Sequence, residues 1–362
     1  MKKIGIVTII DTNNYGNRLQ NYALQNVCEE KLNVTTYTLK NHPFSNTRRG
    51  FLLRVLKNKL KQNKKNVRNR NREERFLEFD KTYIKYLEKE LNCYSNLNYF
   101  DFVIAGSDQI WNPTFNRMRD FDLLRSVKKD KRISFSASFG VSNIPKKYNK
   151  KLRNELKKFK AISVREEAGK KIINNLSIDK NIEVLVDPTM LLSANEWDKI
   201  SKKPKQLQFL KKKKYILNYF LGNLSEKRKK EIEDIAKENE CEIIDILDKN
   251  SPFYETGPSE FVYLEKNAFL ICTDSFHSSV FAIIYNRPFV VFNREDKNVP
   301  MNSRIETLLS KFKLKNREYN GNRITKENLS HDYTETYKIL EEERKKSIMF
   351  LKKALDIEKE QK

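Results

Sequence analysis

Short apolar runs alternate with stretches of helical spacing along most of the chain, the pattern of parallel strands joined by crossover helices. Lys3 to Ile10 reads as a first strand and DTNNYGN as a turn; Leu19, Tyr22, Ala23 and Val27 then mark a helix ahead of a strand from Val34 to Leu39. Further strands are predicted at Tyr99 to Ala105, Lys131 to Ser138, Ala161 to Val164 and Ile182 to Val186, with helices from Tyr148 to Phe159 and Glu166 to Asn175. Residues 41 to 98 break this rhythm. There Phe51, Leu52, Val55, Leu56 and Leu60 recur at helical spacing in a basic background, an amphipathic excursion that either packs by one face or touches anionic lipid.

The alternation restarts after a lysine-rich segment, 199–214, which is the predicted linker. Strand Tyr215 to Leu221, helix Ser225 to Asn239 and strand Glu242 to Leu247 lead into GPSEFVYLEKNAFLICTDSFHSSVFAIIYNRPFVVFNR. This stretch reads as a short helix, a buried strand Ala268 to Cys272, a polar turn Thr273 to His277, an apolar helix Ser278 to Tyr285 and a buried strand Phe289 to Phe292. A helix from Asn302 to Phe312 and a long charged helical pattern from Thr325 to Glu360 follow. The expected fold class is α/β, with two Rossmann-like domains. The first spans 1–198, with the excursion at about 45–98; the second spans 215–324; and 325–362 is a C-terminal helix returning to the first domain.

In open α/β sheets ligands gather at the carboxyl ends of strands, so the polar residues there are the candidate chemistry. TDSFH brings a carboxylate (Asp274), two hydroxyls (Thr273, Ser275) and an imidazole (His277) into one turn; the same residues also fit a capped helix start with a solvated histidine. Arg165, ahead of a helix, could aim a planar fork at a carboxylate or phosphate, or pair with Glu166 or Glu167. After the strand ending at Ala105, Gly106 and Ser107 permit close approach of a ligand, while Asp108, Gln109 and Asn112 offer acceptors and donors suited to sugar hydroxyls. Trp111 fits either stacking on a pyranose or plugging the core. Asp187 ends the strand Ile182 to Val186.

Composition narrows this further. A chain of 362 residues accommodates two cores. Net charge is +24, and the basic residues concentrate between Arg48 and Arg75, where twelve Lys/Arg stand against two Glu. Nucleic acid, an anionic membrane or substrate, and a merely lysine-rich surface all fit, although no nucleic-acid module is recognisable. The nine glycines contain no G-x-G-x-x-G spacing and there is no Walker lysine loop, which argues against a glycine-fingerprint dinucleotide site. No apolar run is long enough to span a bilayer, and MKKIGIVTII runs into DTNNYGN without a small-residue cleavage site. Cys28, Cys93, Cys241 and Cys272 are widely spaced, which suits a reducing cytoplasm and offers no metal site.

NAFLICTDSFHSSVFAIIYNRPFVVF resembles the C-terminal signature of the polysaccharide pyruvyl transferases. FDFVIAGSDQIWNPTF from Phe100, SVRE at Ser163 to Glu166, VDPTMLL at Val186 to Leu192 and NSRIETLL from Asn302 have counterparts there in the same order. The resemblance covers about residues 4 to 315. It implies a GT-B type architecture, two Rossmann-like domains facing across a cleft, and transfer of the enolpyruvyl group of phosphoenolpyruvate onto a sugar of a cell-surface or exopolysaccharide precursor.

On that resemblance His277 is the acid/base, with Asp274 orienting it, and Arg165, Ser275 and Ser278 bind the donor. Asn14, Tyr15, Gly16, Asn17 and Gln20, together with Ser107, Asp108, Gln109, Trp111 and Asn112, hold the acceptor; Asp187 and Arg294 also line the cleft. His277 and Arg165 are expected to face each other across it, and Arg165→Lys to weaken donor binding. Some family members carry Arg-Leu-His where this chain has Ser275, Phe276 and His277, so a second arginine clamp is missing, and a lysine or Arg294 is its expected substitute.

The expected co-substrate is phosphoenolpyruvate, with no other cofactor, and the partner is a free or lipid-linked glycan. The expected location is the cytoplasm, with peripheral attachment to the inner face of the plasma membrane as an option. The competing readings are a GT-B glycosyltransferase using a nucleotide sugar and a non-catalytic basic protein binding membrane surface or nucleic acid.

Overall fold

The computed structural model describes residues 1–10, 13–40, 67–88, 96–115, 118–294, 303–321, 323–330 and 332–357. The expected amphipathic stretch from Arg48, with Phe51 to Leu60, lies outside the described residues up to Asn66, as does Cys93. The described residues divide into two compact units. One takes those within Met1–Arg70, Asp80–Leu191 and Glu343–Lys362, the other those within Asn71–Phe79 and Leu192–Glu342.

The first unit is built on β1 (Lys3–Val7), α1 (Tyr15–Asn26), β2 (Thr35–Thr38), part of α2 (Val67–Tyr83), β3 (Phe102–Ala105), β4 (Arg132–Ala137), α3 (Asn149–Leu156), β5 (Ala161–Val164), α4 (Glu167–Asn174) and β6 (Ile182–Val184). Its sheet has the order β2-β1-β3-β4-β5-β6, and every neighbouring pair is parallel. A parallel sheet covered on both faces needs apolar residues at consecutive positions, and β3 is buried throughout, like β4. Trp111, Phe139, Phe159, Leu152 and Ile173 belong to the core beneath it. The chain leaves β1 toward β2 and returns on the other side with β3, so the sheet's switch point lies between the carboxyl ends of β1 and β3.

The second unit contains α5 (Ala194–Asp198), β7 (Lys214–Tyr219), α6 (Glu226–Glu238), β8 (Cys241–Asp245), α7 (Pro258–Asn267), β9 (Leu270–Thr273), α8 (Phe276–Ile284), β10 (Phe289–Val291) and α9 (Ser303–Lys311). Its parallel sheet runs β10-β9-β7-β8, with the switch point between β7 and β9. Ile216, Ile235, Leu270, Cys272 and Val290 build its core. The segment read as a linker is not a clean boundary: the second unit starts at Leu192, and 199–214 carries a short 3₁₀ helix, Lys205–Phe209, before β7 begins at Lys214.

The last helix, α10 (Thr334–Ala354), is shorter than the charged pattern from Thr325 suggests. Thr325 caps a separate 3₁₀ turn, Lys326–Leu329, with Asn328 closing the capping box, and Ser330 is extended, so the helix must nucleate afresh. From Glu343 onward the chain belongs to the first unit. Phe350 packs on Phe135 at 6.2 Å, Arg344 Nε donates to Met190 O at 2.6 Å, and Lys2 Nζ donates to Asp356 O at 2.7 Å. Among the described residues no helix is long and apolar enough to cross a membrane.

Candidate active site

Parallel strands bring their carboxyl ends to one edge, and in the first unit five of those ends are tied together by buried polar groups. After β6, Asp187 accepts from Ser107 Oγ after β3 at 2.6 Å and from Arg165 Nη1 after β5 at 2.6 Å. Its other oxygen takes the N–H and hydroxyl of Thr189 at 3.0 and 2.8 Å. Arg165 Nη2 reaches Asp108 at 3.3 Å, and Asp108 has φ of 64°, a left-handed turn that lets its side chain also accept from Gln109 N. After β4, Ser138 Oγ, Phe139 N and Gly140 N all donate to Glu166 Oε1 at 2.9–3.1 Å. After β1, Thr8 Oγ1 donates to Ser107 O and accepts from Gln20 Nε2 at 2.8 Å.

Arg165 is therefore a buried tie between two carboxylates, its side chain 1% exposed, with Asp187 and Asp108 held by its fork. Burial opposes its charge, but Asp187, then Asp108 and Glu166, outweigh that and hold its pKa above the usual value. The other expected acceptor residues also turn inward. Trp111 is fully buried against Phe139 and Phe159 and donates Nε1 to Asp122 O, so it plugs the core and offers no stacking face. Asn112 is spent within its own loop, giving Nδ2 to Gln109 Oε1 and accepting from Thr114, and Gly140 is confined there because a Cβ would stand 2.0 Å from Gln109 Oε1.

Asn14 caps α1 by accepting from Asn17 N, with Tyr15, Gly16 and Asn17 buried behind it; Gln20 is fully buried. Asp11 and Thr12 of this turn lie outside the described residues.

In the second unit the TDSFH motif stands at the switch point. Asp274, following β9, accepts from the backbone N–H of Leu221 and Gly222 after β7, at 2.7 and 2.8 Å, and pairs with Arg294 Nε after β10 at 3.1 Å. Thr273 Oγ1 donates to Tyr219 O and accepts from Ser275 N, which pins the turn to β7. Asp274 thus joins three strand ends and positions Arg294. The helix starts earlier than the pattern suggests: Ser275 is the extended N-cap, and His277 sits in the first turn of α8, mostly buried, with its ring edge-on to Phe276 at 5.3 Å. Ser278 is on the inner side, fully buried, and donates to Glu265 Oε1 of α7 at 2.6 Å, so it is not displayed to a ligand.

Glu265 and Glu166 escaped the sequence reading. Glu166 follows Arg165 directly and reads locally as its partner, while Glu265 falls in an amphipathic helix where a glutamate reads as solvated. Burial pushes the Glu265 carboxyl well above its ordinary 4.5, with Ser278 pulling the other way. A carboxyl whose pKa is raised by folding contributes stability fully present below about pH 4.5 and lost as pH rises through the folded value. Glu265→Gln, which cannot ionise, should therefore flatten the fall of stability toward neutral and alkaline pH, as chemical denaturation at a series of pH values would read.

The family model described as polysaccharide pyruvyl transferase matches residues 14–296. The chain belongs to that family. It is accordingly a transferase of a family named for a polysaccharide acceptor, and the match contains all these strand ends except Thr8. No curated protein matches the chain. Among solved structures, a candidate UDP-N-acetylglucosamine 2-epimerase from Listeria monocytogenes is similar over 97% of this chain and 91% of its own, at 13% identity and TM-score 0.50, a likeness of α/β fold alone. UDP-GlcNAc 2-epimerase from Methanocaldococcus jannaschii aligns over 94% of this chain and 92% of its own, at 14% identity and TM-score 0.46.

Proposed function

We propose that this transferase moves the enolpyruvyl unit of phosphoenolpyruvate onto two hydroxyls of one sugar in a cell-surface or exopolysaccharide precursor, forming a cyclic ketal with a free carboxylate. The observation that carries the reading is the TDSFH turn at a sheet switch point, within the family match, where Asp274 ties three strand ends and holds Arg294 beside the helix that bears His277. Two sugar hydroxyls add at C2 in succession. One hydroxyl proton is matched by the proton delivered to C3, the other leaves with inorganic phosphate, and the C2–O bond to phosphate breaks.

His277 serves as the acid that protonates C3. We assign the donor anion to Arg294 rather than Arg165. Arg294 keeps a fifth of its side chain exposed and among the described residues meets Asp274 through Nε, whereas the Arg165 fork holds Asp187 and Asp108. The polar strand ends of the first unit, Ser107 to Asn112 and Asn14 to Gln20, then act as the frame that shapes acceptor-side loops. The test is incubation with phosphoenolpyruvate and free or lipid-linked glycans, reading phosphate release and the mass of the sugar. One phosphate per ketal formed is expected. Nucleoside phosphate released from a nucleotide sugar, with no turnover of phosphoenolpyruvate, would replace this reading by glycosyl transfer.

A further inference from the structure

Beside the switch point of the second unit, on the other flank of β7, a cavity of about 380 Å³ opens between the carboxyl ends of β7 and β8. Asn218, Phe220, Gly222, Asn223 and Leu224 line it from β7 and its loop; Lys229 and Glu233 from α6; Ile243, Asp245, Leu247 and Asp248 from β8 and beyond. Two features point to a ligand. Asn218 is only 6% exposed, yet its Oδ1 has no hydrogen-bond partner, which is costly unless something else supplies a donor. Across the sheet register Asn218 is paired with Asp245, and Asp245 Oδ1 is fixed by the N–H groups of Leu247 and Asp248 at 2.8 and 3.0 Å, so the carboxylate is held at the strand end in one orientation.

We propose that this cavity binds a vicinal diol, with the two hydroxyls donating to Asp245 and Asn218 while the ring lies against Phe220 and Leu224. An acid at the end of the second strand of a β-α-β unit is the position from which such units hold a ribose, and the acceptor atoms here need donors rather than charge. Gly222 lines the cavity and also donates its N–H to Asp274, so an occupant abuts the loop that holds the switch-point turn.

The diol chemistry has two sources, a nucleoside ribose and a sugar ring of a glycan. The inference does not depend on pyruvyl transfer, because it concerns binding in the absence of phosphoenolpyruvate.

Burial raises the Asp245 pKa above the ordinary carboxylate value; the N–H groups of Leu247 and Asp248 and the charge of Lys229 pull it down, and Asp248 pushes it up. Glu233 also faces the cavity. A diol held by the ionised carboxylate is released on acidification.

The experiment titrates uridine monophosphate and a methyl pyranoside bearing a cis-diol into the full-length protein by calorimetry, each beside an analogue lacking the diol. Saturable binding of one diol ligand, lost in its deoxy analogue and weakened about tenfold or more by Asp245→Asn, supports the site and names its source. Asp245→Asn keeps the oxygen that accepts from Leu247 and Asp248, and an unchanged melting curve confirms its fold. The deoxy analogues test the same contact on the unaltered protein. No binding of either ligand at millimolar concentration, or equal binding by the deoxy analogues or by Asp245→Asn, overturns the proposal. Either failure leaves the phosphate-release assay free to succeed.

Discussion

His277→Ala should lower the turnover of pyruvyl transfer by about a hundred- to ten-thousand-fold, the range for losing one positioned acid, while leaving the melting curve close to that of the parent protein. His277 lies in the first turn of α8, and its truncation leaves intact the bonds that fix the turn, namely Asp274 to Leu221 and Gly222, and Thr273 to Tyr219. Most of the loss should appear in kcat, because protonation of C3 develops in the transition state, whereas the KM for phosphoenolpyruvate follows the anion clamp. Arg294→Lys supplies the contrast. It keeps the charge but not the planar fork, and should raise KM with a smaller effect on kcat. Phosphate release measured across donor concentrations separates the two. Equal turnover by His277→Ala and the parent protein would remove the histidine from the chemistry.

The strands of both sheets are legible in the chain because a parallel strand buried on two faces is a continuous apolar run, as in FVIA of β3 and LICT of β9. The two segments that misled are those where local pattern and local capping compete. The charged stretch from Thr325 keeps helical spacing throughout, yet the Thr325 and Asn328 capping box closes a turn within it. The start of α8 moves back to Phe276 because Ser275, held by Thr273 Oγ1, already supplies an extended N-cap. Neither competition is visible in hydrophobic periodicity, which reports which face is buried and not where a helix begins.

The candidate site is legible as a set of strand ends and illegible as a set of contacts. Asn112, Gln109 and Asp108 have the chemistry of a sugar site in one dimension. Asn112 and Gln109 bond each other within their own loop, and only strand order decides that Asp108 meets an arginine 57 residues away. The same holds for Asp274. Its nearest polar neighbours in the chain are Thr273 and Ser275, but the donors it meets come from the strands on either side of β9. Side chains at strand ends meet across the sheet, so their partners lie one or more crossovers away and escape any local window.

That difference is sharpest at Arg165, where Arg165→Ala should destabilise the protein by about 3–5 kcal/mol, a large fraction of an ordinary domain's stability. The substitution removes the cation between Asp187 and Asp108, whose side chains are at most 7% exposed, and strands both carboxylates in a poorly solvating interior. Ser107 and Thr189 still donate to Asp187, so that group is not without partners, but hydroxyl and amide dipoles do not replace a full positive charge. Arg165→Lys should fall between, since one ammonium can meet Asp187 or Asp108 and cannot span both as a fork does. Removing the cation's strongest partner as well relieves part of the penalty, so Arg165→Ala combined with Asp187→Ala should be less destabilised than the two single losses summed. Urea denaturation of the four proteins measures that coupling. An additive cycle would remove the tie between Arg165 and Asp187, and an Arg165→Ala protein of parental stability whose affinity for phosphoenolpyruvate falls would make Arg165 the donor clamp after all and return Arg294 to the role of a tie on Asp274.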